Sequence, residues 1–198
     1  MITVQRFPEC ATRKDRPVAL TAFLVIPPNP GSTLSGEPVT DQFFSGAQFA
    51  DATVVQLRSY AFGAQNQVAA GSAGAGTGRT RFEELSISKP VDRSSAGLFN
   101  TMATGGHLRA VQLYLRRSGG PDARPYLAYE FQVVAVTKID WSGADGDDAA
   151  SESVTFAYGA LALGYRGRHA DGSLTSATRA GWSAVSNSAK VADTLLLS

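Results

Sequence analysis

A chain of 198 residues with 43% hydrophobic content can bury one core of ordinary size. Charged residues supply only 18% and glycine takes 20 positions, a balance that favours a strand-rich domain with many turns. A formal net charge of +1 excludes a global pull toward nucleic acid or an anionic membrane, and one cysteine, Cys10, excludes an internal disulfide.

Residues 1–19 read as a polar leader with a strand signal at Ile2-Thr3-Val4. Arg13, Lys14 and Arg16 before the apolar run Val18–Ile26 imitate an export signal. The run meets Pro27-Pro28 without a small-x-small cleavage site, so Leu20–Ile26 reads instead as a buried first strand. No apolar run has the length of a membrane-spanning helix. Pro27 to Ala52 is a long segment, rich in Pro, Gly, Ser and Thr in its first half and carrying Phe43, Phe44 and Phe49 in its second. A loop of that length docks on something. Burial on the chain's own core is the favoured reading, with Phe43 and Phe44 also standing as candidate subunit-interface residues.

Thr53–Phe62 alternates as a strand. Ala69–Gly78 is low-complexity and lacks the Lys-Ser/Thr ending of a phosphate loop. Arg79–Lys89 reads as a further strand. After Pro90-Val91, either Asp92 or Ser94 can cap a short helix through Ala103, with Leu98 and Met102 on one face, and Gly105-Gly106 ends it. His107–Arg117 alternates strongly, and so does the run from Arg124 through Trp141, with Leu127, Tyr129, Phe131 and Val133 on one face against Ala128, Glu130, Gln132 and Val134. Gly119–Asp122 and Gly143–Asp148 are turns. In the next strand Val154, Phe156 and Tyr158 sit on even positions, but Leu161, Leu163 and Tyr165 sit on odd ones. That slip at Gly159-Ala160 predicts a β-bulge with one extra residue. Beyond Arg166 the chain is polar apart from Trp182, and Leu195-Leu196-Leu197 either packs on a neighbour or frays. The organisation expected is a leader, 1–19, a domain, 20–184, and a tail, 185–198. The fold class expected is mainly β: an antiparallel β-barrel of two packed sheets with one short lateral α-helix.

Chemistry is scarce. His107 and His169 share no metal-ligand spacing with each other or with Cys10. Ser94 or Ser95 with His107 and Asp92 makes a triad only on paper, without a nucleophile elbow. Asp145, Asp147 and Asp148 lack the closing Glu of a calcium loop and read as a solvated turn. No catalytic residue, cofactor or metal is expected.

The order of features carries a resemblance. Phe82 to Leu98, a strand ending in Lys89 followed by Asp92-Arg93-Ser94-Ser95 and Leu98, resembles the Hcp family of type VI secretion tube proteins. Gly105-Gly106-His107 leading into Ala110–Arg117, the run Glu152-Ser153-Val154-Thr155-Phe156 leading to Tyr165, Phe23–Ile26 and Val55–Gly63 are similar to further stretches of that family. The resemblance spans about residues 20–184 in feature order. It implies a structural subunit, not an enzyme, that closes with copies of itself into hexameric rings stacked as a tube. A VgrG-type spike, a sheath and effectors are the implied partners, with neither nucleic acid nor membrane among them. It also implies residence in the bacterial cytoplasm, then export through the machine. Ser95, Leu98, Phe99 and Met102 of the helix, with Phe43 and Phe44 of the long loop, are the expected subunit-interface residues. The alternatives are a tail-tube protein of a phage-like extracellular injection particle, a monomeric ligand-binding β-barrel with an apolar cavity, and a lone hydrolase.

Overall fold

The computed structural model describes residues 20–29, 34–37, 41–67, 79–117, 124–147, 149–167, 169, 174–189, 191 and 193–197. The leader with Cys10, the low-complexity segment 69–78 and the turn 119–122 lie outside the described residues.

Among the described residues eight strands and one α-helix follow each other: β1 (Leu20–Ile26), β2 (Thr53–Leu57), β3 (Ser59–Gln67), β4 (Arg79–Pro90), α1 (Arg93–Ala103), β5 (His107–Arg117), β6 (Leu127–Ser142), β7 (Ser151–Tyr165) and β8 (Thr178–Ser183), with a single 3-10 turn at Ala47–Phe49. All ladders are antiparallel, in the order β2-β1-β5-β6-β7-β4-β3, and β8 pairs with β7. The single strand expected from Thr53 to Phe62 is two strands. Arg58 breaks it, its amide donating to the Ser88 carbonyl at 2.8 Å, so β2 joins β1 while β3 joins β4. The two ends of the sheet are therefore consecutive pieces of chain. The ladder itself stays open there, and the expected barrel is joined by the covalent chain at Arg58, not by a last pair of strands. β8 was not foreseen: Thr178–Ser183 offers no apolar alternation, yet it pairs residue for residue with Ala160–Tyr165.

Three neighbouring strands, β5, β6 and β7, bend together. On β7 the core-facing side changes from Val154 and Phe156 to Leu161, on β6 from Phe131 to Val134, and on β5 from Leu108 to Val111. Pairing keeps step through the change, with Gln132 opposite Ala160 and Val134 opposite Tyr158, and Leu108 opposite Val134 and Ala110 opposite Gln132. The phase slip predicted at Gly159-Ala160 is thus present, but the extra residue is not. All three strands invert their pleat at one level, and Val133 makes the turn with a left-handed φ of 56°. Register shifts occur elsewhere, between Ala61 and Gly63 and between Val136 and Lys138.

The bend divides the sheet into two parts that face each other across one core, the expected pair of packed sheets. One part holds β1, β2, β8 and the adjoining halves of β5, β6 and β7. The other holds β3, β4 and the remaining halves. Leu24, Leu113 and Phe131 from the first meet Ile87, Val154 and Phe156 from the second, and Leu98 of α1 completes the cluster. A second cluster lies on the outer face of the first part, where Phe23, Val25, Val54, Tyr114 and Ala128 are roofed by Phe44, Phe49, Leu195 and Leu197.

Candidate functional site

Helix α1 starts where the sequence signals it. Asp92 caps it, accepting from the Ser94 amide at 2.8 Å, while Ser95 Oγ accepts from the Asp92 amide at 3.1 Å. That reciprocal pair satisfies two helix-end donors. Gly105, at φ 66°, ends the helix: its amide donates to Met102 and that of Gly106 to Thr101, a paired closure that needs a left-handed residue.

Beneath the cap lies a buried ion cluster. Lys89 Nζ lies 2.7 Å from Asp92 Oδ1 and 2.9 Å from Glu152 Oε1, and it donates to Ser95 Oγ at 3.1 Å and the Pro90 carbonyl at 3.2 Å. The side chains of Lys89 and Glu152 are both wholly buried. Ser95 Oγ donates to Glu152 Oε1 at 3.1 Å and Trp141 Nε1 to Glu152 Oε2 at 2.8 Å. Burial pushes the Asp92 carboxyl up, but the hydrogen bonds and charge of Lys89 and those of Ser94 outweigh it and hold the group below its ordinary value. A buried charge requires partners at each lone pair and proton, and here it has them. The cluster fixes α1 against β4, β6 and β7. Nothing in the sequence pattern pairs Lys89 with Glu152, 63 residues apart. The only trace was that both stand in the runs that resemble the Hcp family.

The paper triad does not assemble. Ser94 and Ser95 are taken up by the cap and the ion cluster. His107 follows the opposite end of an eleven-residue helix, about 16 Å long at 1.5 Å per residue. His107 and His169 are exposed, and among the described residues no group of three His, Cys, Asp or Glu is placed to hold a metal ion. Asp147 Oδ2 accepts from the Ala144 amide at 2.8 Å, the hydrogen bond of a solvated turn. The core between the two parts of the sheet is filled by side chains such as Phe131 and Phe156. The described cavity, about 530 Å³, lies instead at the end of β1 and β2, lined by both apolar and polar groups including Leu34, Phe49, Glu37 and Asp51.

The six expected interface residues divide by exposure. Leu98 is 1% exposed and belongs to the core, Ser95 belongs to the ion cluster, and Met102 packs partly against the core. Phe99 is 47% exposed and lies against Trp141, itself 51% exposed, with ring centroids 5.8 Å apart and Val91 also exposed nearby in sequence. In the long loop, Phe43 and Phe44 pack with Phe49 and Tyr114 at centroid distances of 4.9 to 6.0 Å. Phe44 is buried and Phe43 half-buried, so the loop folds back as favoured. Asp41 ties it down by a two-pronged ion pair with Arg116, whose guanidinium also lies 4.7 Å from the centre of the Phe23 ring. The Leu-rich tail packs on its own chain: Leu195 and Leu197 enter the second cluster.

A family model described as the type VI secretion system effector Hcp matches residues 45–165, more than half of the chain and the whole span from β2 to β7. The hcp1 protein of Pseudomonas aeruginosa is 28% identical over 94 residues, 48% of this chain. The chain spans 58% of the length of that curated relative. Among solved structures, a type six secretion system protein superposes with a TM-score of 0.71 at 23% identity, over 87% of this chain and all of its own. Hcp1 from Salmonella typhimurium superposes with a TM-score of 0.61 at 24% identity, over 85% of this chain and 97% of its own. At those identities the superpositions speak for the fold, and the matched residues speak for the family. The chain belongs to the Hcp family of type VI secretion proteins.

Proposed function

We propose that the chain is a structural tube subunit of a type VI secretion system and performs no catalysis. In this reading copies of it close into rings, six to a ring by resemblance to the family, and the rings stack into a tube that carries or chaperones effectors. A VgrG-type spike caps the tube, a sheath surrounds it, and the subunit leaves the cytoplasm through the machine itself.

The observation that carries the reading is the contrast between a filled interior and open edges. Among the described residues β3 pairs in the ladder only with β4, and β8 pairs with β7 apart from one bridge between Ser183 and Ser188. An edge strand offers unpaired amides and carbonyls to another chain, and a heterologous contact that closes makes a ring. Phe99 of α1 and Trp141 of β6 present an exposed aromatic pair. Aromatic side chains of this kind are what subunit contacts favour. Phe99, Met102 and Phe43 are the expected contact residues, with Ser95, Leu98 and Phe44 holding that surface in place from within.

Negative-stain images of the purified chain test this. Rings with an open centre are expected, and Phe99→Asp is expected to leave the circular-dichroism spectrum unchanged while reducing the fraction of rings. Rings that persist unchanged in Phe99→Asp would remove the helix from the interface. A field of single subunits from the unaltered chain would contradict the ring.

A further inference from the structure

The cavity at the end of β1 and β2 is walled by three pieces of chain that meet around Leu108 of β5. The chain leaving β1 supplies Pro27 and Pro28, the segment 34–37 supplies Leu34 and Glu37, and the run into β2 supplies Phe49 and Asp51. Each wall is held by contacts of its own. Asn29 Nδ2 donates to the His107 carbonyl at 3.0 Å. Segment 34–37 is wedged between α1 and β2: a Cβ on Gly97 would stand 2.9 Å from Leu34 Cα, and one on Gly36 would stand 3.1 Å from Thr53 Cγ2. The Phe49 amide donates to the Gly46 carbonyl at 2.9 Å, and the Ala52 amide to the Phe49 carbonyl at 3.0 Å. The walls therefore need no occupant to stand. Their volume, about 530 Å³, falls in the range of small-ligand sites, about 300–1,000 Å³.

The lining sets the chemistry of an occupant. The floor is apolar, with Ile26, Phe44, Phe49, Val54 and Leu108 all buried. The rim is acidic: Glu37 and Asp51 are exposed, and neither has an ion pair among the described residues. Asp51 stands at a left-handed φ of 63°, a conformation that glycine takes without strain, yet a carboxylate is kept there. No Lys, Arg or His is among the described lining residues. Pro27 and Pro28 have no amide hydrogen to donate, and the Asn29 side chain already donates to His107. A cleft with charge of one sign above low-dielectric walls concentrates its field on an entering ion. Donor-poor walls with two unpaired carboxylates suit a cation, and the floor suits a hydrocarbon body.

We propose that this cavity is a binding site for an organic cation with an apolar body, of the arylalkylammonium kind. Its hydrocarbon part rests on the buried floor and its charge is directed to Glu37 and Asp51. The site is separate from the filled core between the two parts of the sheet, and it does not depend on the ring reading.

The test titrates the full-length chain calorimetrically with three compounds of similar shape: phenylbutylamine, phenylbutanol and phenylbutyrate. The amine is expected to bind about tenfold more tightly than the alcohol, a difference of about 1.4 kcal/mol, and the carboxylate not to bind. Methyl resonances of Leu34 and Leu108 should shift with the amine, and shifts confined to Leu195 and Leu197 would overturn the location. In Glu37→Gln/Asp51→Asn the amine is expected to fall to the affinity of the alcohol. Asn accepts a left-handed backbone, and circular dichroism checks the fold of this variant. Affinity unchanged in the folded variant, or equal for amine and alcohol, would overturn charge recognition, and no saturable heat with the amine would overturn the site. Should the variant not fold, added salt on the unaltered chain replaces it. Salt is expected to weaken the amine and spare the alcohol, and an equal response overturns the proposal. Acetyl-Phe-Lys-amide separates two sources of the cation. Tighter binding than the amine assigns it to a polypeptide side chain, weaker binding assigns it to a free amine, and either supports the site.

Discussion

The two halves of β5 show two ways of burying a strand. Around His107-Leu108-Arg109 exposure alternates, with Leu108 buried and its neighbours open, because one face meets the core and the other meets solvent. From Ala110 through Leu115 every residue is buried. The same strand, past the bend, has the core on one side and a roof of Phe44, Phe49, Leu195 and Leu197 on the other. Antiparallel sheet with one wet face shows clean alternation, and sheet covered on both faces does not. The lesson is that the cover makes the difference, not the strand: Phe44, Leu195 and Leu197 of the roof lie outside residues 45–165, which the family model matches, and Phe49 lies within them.

The comparison sharpens first at the ion cluster under α1, which belongs to the core shared by both halves. Glu152→Gln leaves Lys89 with Asp92 as its one described carboxylate partner and is expected to cost about 3 kcal/mol, the lower end for breaking a buried pair. Urea unfolding measures it, and a cost under 1 kcal/mol would mean the cluster contributes little to holding α1 on the sheet.

The roof should matter nearly as much. Leu197→Ala empties a buried pocket and is expected to destabilise by about 2–4 kcal/mol, with hydrogen exchange rising at Tyr114 and Leu115 and remaining low at Val154 and Phe156. Equal loss of protection in both halves would show that roof and barrel unfold as one unit.

At the bend, Val133 is a β-branched residue at φ 56° with 58% of its surface exposed. Val133→Gly removes that backbone strain at little cost in packing and is expected to raise stability by about 1 kcal/mol. A fall in stability would mean that the valine side chain, not the backbone, makes the corner.

The smallest effect is in acid. Because the Asp92 carboxyl is held below its ordinary value of 3.8, its stabilising contribution is present above that value and disappears as the pH falls through the folded-state value. Asp92→Asn keeps a capping side chain and loses the charge. Its deficit against the unaltered chain should therefore be visible at pH 7 and vanish in acid, and a deficit independent of pH would assign the loss to the cap geometry.

Much of this was legible in the sequence. Helix α1 carries its start in Asp92 or Ser94 and its stop in Gly105-Gly106, since capping is local chemistry, and the structure selects Asp92 with Ser95 as its reciprocal partner. The alternation of β5, β6 and β7 placed them as strands, and the phase slip at Gly159 was visible because alternation makes any inversion countable. What the slip meant was not visible: one strand alone cannot tell an added residue from a pleat that neighbouring strands invert with it. Arg58 was equally silent, because alternation runs unbroken from Val55 to Ala61 while the hydrogen-bond partner changes from β1 to β4. Glu130 read only as one of the face opposite Tyr129 and Phe131, and it is buried by a segment more than 60 residues further along the chain. Among the expected contact residues, exposure separates Phe99 from Leu98, a distinction that helical periodicity suggests and only the packed neighbours decide.

The most direct test of the account is the solution mass of the purified chain, by light scattering behind size exclusion. A mass near six times the 20.8 kDa of one subunit is the predicted result. A single-subunit mass that holds at high concentration would contradict the claim that this barrel is built to close into rings.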